Sequence, residues 1–276
     1  MKYLLLFPAV LAVALFLLWP IGELVRYSTL KTNFITTSSV GLLNYRNMFH
    51  NTVFLRSWGN SFCYMAIMVA ANMVVSTGIV LIAFTLKKRW HDFIRISFYV
   101  PVLAAGVIIA QVWRWVFHAR GPINWILSFF GVDPIYWFAQ GITAIPAVSL
   151  VVVVSAWGGT VIILLAYVLS IDPALYDAAT IDGATWGQIK RRIVRPLMWP
   201  AIAMVSLMAM IAAAQVFETI YVLAPYEYSA SVTFHIYREA FVFGRFGYAS
   251  AQAIMLLLVT AAMTIGKKRI EQAIGG

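Results

Sequence analysis

The chain has 276 residues, 62% of them hydrophobic and 11% charged, with a formal net charge of +10. A soluble domain carries roughly a quarter charged residues, so the composition excludes an ordinary soluble fold and points to a polytopic membrane protein. The positive charge does not point to nucleic acid: the basic residues sit in short clusters beside apolar runs, and no groove-reading or base-stacking module is present.

Lys2 precedes an apolar run from Tyr3 to Trp19. The run has no small-x-small cleavage site, and Pro20 and Glu23 follow it, so it reads as a retained membrane helix over about 3–27 rather than a signal peptide. A span needs about 20 mainly apolar residues. Five more stretches qualify, at about 60–86, 94–117, 142–169, 198–223 and 247–266. The expected fold class is therefore all-α and polytopic, with six transmembrane helices and residues 1–276 forming a single transmembrane domain. The lone Cys63 excludes an intrachain disulfide.

Charge orders the connectors. Lys87, Lys88, Arg89 and Arg95 lie between the second and third spans. Lys190, Arg191, Arg192 and Arg195 lie between the fourth and fifth, and Lys267, Lys268 and Arg269 follow the sixth. Basic loops stay in the cytoplasm, so both termini are expected there, in a multi-pass topology. The outer loops, about 28–59, 118–141 and 224–246, are rich in aromatics; Trp58, Trp115, Trp125, Tyr136 and Trp137 suit an interface. Pro101 is expected to kink the third span. Gly158 and Gly159 interrupt the fourth, either for close helix packing or for a bend that gates a pathway.

One polar block stands apart: 176-YDAATIDGATWGQIKRRIVRP-196. Asp172-Pro173 is a helix start, since aspartate caps free N–H groups and proline fits a first turn. The spacing predicts a short helix to about Ile181, a break at Gly183 and a second helix capped by Thr185. Trp186, Ile189 and Ile193 share one face of that second helix, with Gln188, Arg191, Arg192 and Arg195 directed elsewhere. The block reads as a helix–turn–helix continuous with two spans. An amphipathic loop lying on headgroups is the alternative, but the acids of the first helix disfavour an anionic surface and favour a protein partner.

The block resembles the EAA loop of ABC importer permeases, a pattern of roughly E-A-A-x-x-D-G-A with a phenylalanine and a proline downstream. Here it stands as Asp177-Ala178-Ala179-Thr180-Ile181-Asp182-Gly183-Ala184, closing at Pro196. The resemblance covers nearly the whole chain and is nearest to the carbohydrate branch, that of the maltose and glycerol-3-phosphate importers. It is also carried by 41-GLLNYRNMF-49 with Asn60-Ser61, by 121-GPINWILSFFG-131 and by 236-IYREAFVFGRFGYASA-251. Three departures stand out. Asp177 replaces the usual glutamate. Lys190 occupies the phenylalanine position, so the hydrophobic anchor is either missing or replaced by Trp186 or Ile189. The text 224-APYEYSA-230 replaces a Gly-Gly-Pro turn.

The resemblance implies a type I ABC importer permease fold, in which 172–196 is a cytoplasmic coupling loop. It implies a permease that takes a sugar or related polyhydroxylated solute into the cytoplasm. It further implies a second permease as heterodimer partner, two ATP-binding subunits, an extracytoplasmic solute-binding protein and surrounding membrane lipid, with no nucleic acid. ATP and magnesium are expected on the partner subunits: the chain has no G-x-x-x-x-G-K-[ST] loop and is expected to bind no cofactor or metal itself. ATPase coupling would fall to Asp177, Ala178, Ala179, Asp182, Gly183, Ala184, Trp186 and Pro196. The substrate pathway is expected near the midplane. Its candidate liners are Asn60, Tyr64, Trp157, Tyr167, Gln215, Glu218 and Tyr221, with Gln215 and Glu218 on one helical face. The rival classes are a self-contained secondary transporter or channel and an intramembrane enzyme. The first needs more ionisable residues within spans, and the second finds no catalytic or metal-spaced set among His50, His91, His118 and His235.

Overall fold

The computed structural model describes the backbone of residues 2–32, 35–100 and 106–274, with side chains described between residues 6 and 266, Lys88 apart. The first span is α1 (Lys2–Val13), a π-helical turn (Ala14–Leu18) and α2 (Trp19–Ser28) in unbroken succession. Pro20 has no N–H to close a normal turn, and the wider turn before it closes instead from the Trp19 N–H to the Ala14 carbonyl. The most apolar stretch of this span has no buried residue; its α2 part packs on the last span.

A two-stranded antiparallel ribbon follows, β1 (Leu30–Thr32) with β2 (Thr37–Ser39), then α3 (Leu43–His50). The second span, α4 (Thr52–Ala83), begins earlier than its apolar run. Asn51 sets the start: its Oδ1 accepts the N–H groups of Val53 and Phe54 at 2.9 and 3.1 Å. The third span is seen as α5 (Lys88–Tyr99) and α6 (Gly106–Val116); Pro101 and its expected kink lie outside the described residues. After α7 (Pro122–Ser128), the fourth span, α8 (Gly141–Leu169), runs without a break through Gly158 and Gly159. The expected interruption is absent, because the helix closes its backbone bonds there and small residues alone do not break a ladder that neighbours support.

The polar block is α9 (Ala174–Ile181), α10 (Trp186–Ile189), a π turn (Lys190–Val194) and α11 (Arg195–Leu197). The first span's device recurs: Arg195 N–H closes on Lys190 O just before Pro196. The chain then bends by 58° into α12 (Trp199–Ala214). The fifth span departs from expectation here. It stops at Ala214 and restarts as α13 (Glu218–Leu223). The loop after α13 holds α14 (Val232–Tyr237) and a π turn (Arg238–Val242), and the sixth span is α15 (Phe246–Ile274).

α4 packs against α8 and α12, α5 against α8, α13 against α6, and α12 against α15. The buried side chains form two main cores. One gathers Tyr64, Val148, Val151, Ile220 and Phe234. The other gathers Val80, Leu164, Leu165, Val168, Ile189, Val194 and Met198. The second core joins the polar block to the ends of the second, fourth and fifth spans.

Candidate functional site

The polar block is a tightly specified turn between two caps. Asp172 Oδ1 accepts the Ala174 N–H at 2.9 Å. At the other end of α9, the Ala184 N–H reaches Ala179 O at 2.9 Å and the Gly183 N–H reaches Thr180 O at 3.0 Å. That pair of bonds is a Schellman closure, and it needs a left-handed residue. Gly183 supplies it with φ +79°. The next helix opens with a reciprocal capping box. Gln188 N–H donates to Thr185 Oγ1, and Thr185 N–H donates to Gln188 Oε1 at 2.7 Å. Gln188 is therefore part of the cap rather than directed away from it.

Side chains of the block divide by face. Ala179, Ala184 and Tyr176 turn inward onto the second core, where Ile189 is 1% exposed. Ile189 is thus no outward anchor: it is consumed by packing within the chain. Trp186 is 57% exposed, with its edge on Phe84 at 6.2 Å between centroids. Lys190 turns its Nζ to Thr85 Oγ1 at 3.5 Å, at the end of α4. Asp177, Ala178, Asp182, Gly183 and Pro196 are exposed. So are Leu175 and Ile181, the latter 86% exposed. Leu175, Ala178 and Ile181 are spaced three apart and make an outward apolar ridge. The family pattern did not single out Leu175 or Ile181. Their signal was an apolar residue on the face opposite Tyr176 and Ala179.

The pathway candidates do not form one cluster. Asn60 and Tyr64 are buried and bonded to the loop between α13 and α14: Asn60 Nδ2 donates to the carbonyls of Tyr228 and Ala230 at 3.0 Å each, and Tyr64 OH donates to Ser229 O at 2.9 Å. Ser231 Oγ adds a bond to Val216 O, and Tyr228, stacked on Tyr226, donates to Phe138 O at 2.7 Å. These bonds specify the loop that departs from the Gly-Gly-Pro turn. Trp157 is half-buried, with an indole N–H that is buried and has no partner among the described residues. Tyr167 lies about 15 Å further along the same helix, from the rise of a turn.

Gln215 and Glu218 do not share a helical face. The backbone leaves the helix between them, at Gln215 (φ −106°, ψ 12°) and Phe217 (φ −137°, ψ −61°). Both side chains are exposed at this break in the isolated subunit. Glu218 leans over Gly106, where an added Cβ would stand 2.5 Å from its Oε2. Arg114 does not pair with it; the guanidinium donates to the Val222 carbonyl. Tyr221 belongs to an aromatic group with Phe217 and Tyr237, at 5.7 and 5.6 Å between centroids. The break thus carries an amide, a carboxylate and several ring faces, and sequence reading missed Phe217 and Tyr237.

No family model matches the chain. A probable ABC transporter permease, YurN of Bacillus subtilis, is 30% identical over 279 residues, covering 95% of this chain and 93% of the relative. The chain belongs to the ABC transporter permeases. Another relative of this permease is the sulfoquinovosyl glycerol transport system permease SmoG of Agrobacterium fabrum, 28% identical over 97% of this chain and 89% of its own. The fold matches that of a bacterial ABC transporter involved in the import of the acidic polysaccharide alginate, with a TM-score of 0.88 and 23% identity, over 100% of this chain and 96% of that one. The permease therefore has the ABC importer fold in its membrane-spanning form.

Proposed function

We propose that this permease passes a sugar or related polyhydroxylated solute into the cytoplasm, moved by ATP-driven subunits that grip the outward ridge of α9. The observation that carries this reading is the build of the block. A Schellman closure and a capping box hold α9 and α10 stiffly, and a buried core welds them to three spans. A push on α9 is then passed to the spans as a rigid-body movement, a common switching mode. Leu175, Ala178 and Ile181 supply the apolar contact, flanked by the carboxylates of Asp177 and Asp182. Trp186 adds a partly exposed ring beside it.

On this reading ATP and magnesium sit on two partner subunits, a second permease completes the pathway, and an extracytoplasmic solute-binding protein delivers the solute. Both chain ends and the block lie in the cytoplasm, in keeping with the basic clusters. The sugar class is supported by a relative named for sulfoquinovosyl glycerol and by the chemistry of the helix break. Ring faces of Phe217 and Tyr221 suit C–H surfaces, while Gln215 and Glu218 suit hydroxyls.

The test is reconstitution with the neighbouring permease, ATPase and binding protein in vesicles. Uptake should require ATP, and Ile181→Asp and Asp177→Lys should lower co-purifying ATPase without lowering membrane insertion. Uptake by this chain alone on an ion gradient would instead establish a secondary transporter. Wild-type ATPase recovery and uptake in both variants would make the block a passive loop.

A further inference from the structure

A cavity of about 640 Å³ opens away from both the polar block and the helix break. It lies between the β1–β2 ribbon, α3 and the start of α15. Three spans end at its walls: α2 stops at Ser28, α4 starts at Thr52 beside the lining residue Asn51, and α15 starts at Phe246 beside the lining residue Tyr248. A cavity bounded by three span ends sits where hydrocarbon gives way to headgroups. It does not depend on which side of the membrane faces out.

Its walls are fixed. Asn44 Nδ2 donates to the carbonyls of Ser28 and Leu30 at 2.8 and 2.9 Å, tying α3 to the ribbon. Asn51 Nδ2 donates to Tyr248 OH at 3.1 Å, tying α4 to α15. Gly247 lets α15 start against the ribbon, since a Cβ there would overlap the Leu30 carbonyl.

The charge of the lining has one sign. Lys31 and Arg245 line the cavity, and no aspartate or glutamate does among the described residues. Arg245 also pairs with the buried carboxylate of Glu239 at 3.3 Å, which is 4% exposed. Lys31 is exposed and makes no ion pair among the described residues. The exposed amide of Asn47 adds a further donor to the rim. A compact anion with several acceptor oxygens matches cations and amide donors, and a cation at headgroup depth attracts an anionic headgroup.

We infer that this cavity binds a phosphate group, presented by an anionic lipid headgroup or by a soluble phosphate. The site is separate from the solute pathway, and its occupant ties the ribbon to the first and last spans.

The experiment is native mass spectrometry of the permease in its detergent-purified transporter complex, titrated with phosphatidylglycerol, phosphatidylcholine and inorganic phosphate. Wild type should hold a tight phosphatidylglycerol or phosphate adduct. Lys31→Glu should weaken it at least about fivefold, the factor expected for one cation near an anionic headgroup. Asn47→Asp, another exposed position, should weaken it in the same direction. Lys31→Arg should keep it, and so should Arg56→Glu, an exposed cation outside the lining. Displacement of the lipid adduct by millimolar phosphate would assign a soluble source; failure of phosphate to displace it would assign the lipid. Equal adducts in wild type and Lys31→Glu, or an equal loss in Arg56→Glu, would overturn the proposal.

Discussion

The ring of Phe84, one residue past the end of the second span, packs on the ring of Tyr176 in α9 at 5.1 Å between centroids. The contact joins a span to the polar block across more than ninety residues of chain. It is flanked by Trp186 against the same ring and by His91 Nε2 at 3.0 Å from the Ala83 carbonyl. Tyr176 OH is buried without a partner among the described residues, and burial holds its pKa above the ordinary value.

Phe84→Ala should therefore act on coupling. Deleting a half-buried ring should cost about 2 kcal/mol, below the range for fully buried aromatics. The expected outcome is a wild-type amount of co-purified ATPase but less solute moved per ATP hydrolysed. Tyr176→Phe should be neutral or slightly stabilising, since it removes an unpaired buried hydroxyl. Parallel hydrolysis and uptake assays in vesicles read both; an unchanged ratio for Phe84→Ala would limit the contact to packing.

Gly183→Val places a β-branched side chain at φ +79°. The strain is about 1–3 kcal/mol, and it falls on the Schellman closure. No atom crowds the position, so the effect should come from backbone geometry alone. Gly183→Asn, which tolerates the left-handed region, should be milder. ATPase recovery should rank wild type, Asn, then Val. Any other order would mean that the turn's geometry is not what the ATPase reads.

At the helix break, Glu218→Gln and Gln215→Ala should reduce uptake while leaving ATPase recovery unchanged, because both positions are far along the fifth span from α9. Concentration-dependent uptake separates the two outcomes. Normal transport in both variants would remove these side chains from the path.

Asn60→Leu removes the donor for two loop carbonyls, Tyr228 and Ala230. Each carbonyl left buried and unpaired costs about 1–3 kcal/mol. Thermal unfolding in detergent should shift downward, and Asn60→Asp should not rescue it, since a carboxylate cannot donate. A melting temperature equal to wild type would show that the loop is held by its apolar contacts.

His235 predicts a pH dependence. It is buried in α14 with Nε2 3.7 Å from Glu239 Oε1. Burial, then Arg238, lowers its pKa to about 4, with Glu227 opposing. The unfolded chain takes up this proton near pH 6.5 and the folded chain only near 4, so stability should fall as pH drops through that window. Burial raises the pKa of Glu239, whose contribution has the opposite sign, present at low pH and lost as pH rises. His235→Gln should therefore lose stability less steeply than wild type on acidification from neutrality. Melting temperatures across that range check it; parallel curves would show that His235 does not titrate there.

The sequence by itself determined the class, the order of the spans and the helix–turn–helix shape of the polar block. Apolar length and basic clusters are local features, and so are Asp172, Gly183 and Thr185, which act on backbone within a few residues of themselves. Tertiary structure decided what periodicity leaves open. Ile189 and Ile181 are equally apolar, yet one is buried against the second and fourth spans and the other stands in solvent. Gln215 and Glu218 keep helical spacing in the text, but the chain leaves the helix between them. Asn60 and Tyr64 read as polar liners of the pathway; the structure adds long-range bonds from both to carbonyls in the loop before the sixth span. The physical reason is one of range. Caps and spans are satisfied within a turn, whereas burial and polar pairing are settled by partners distant in the chain, 170 residues away for Asn60 and Ala230.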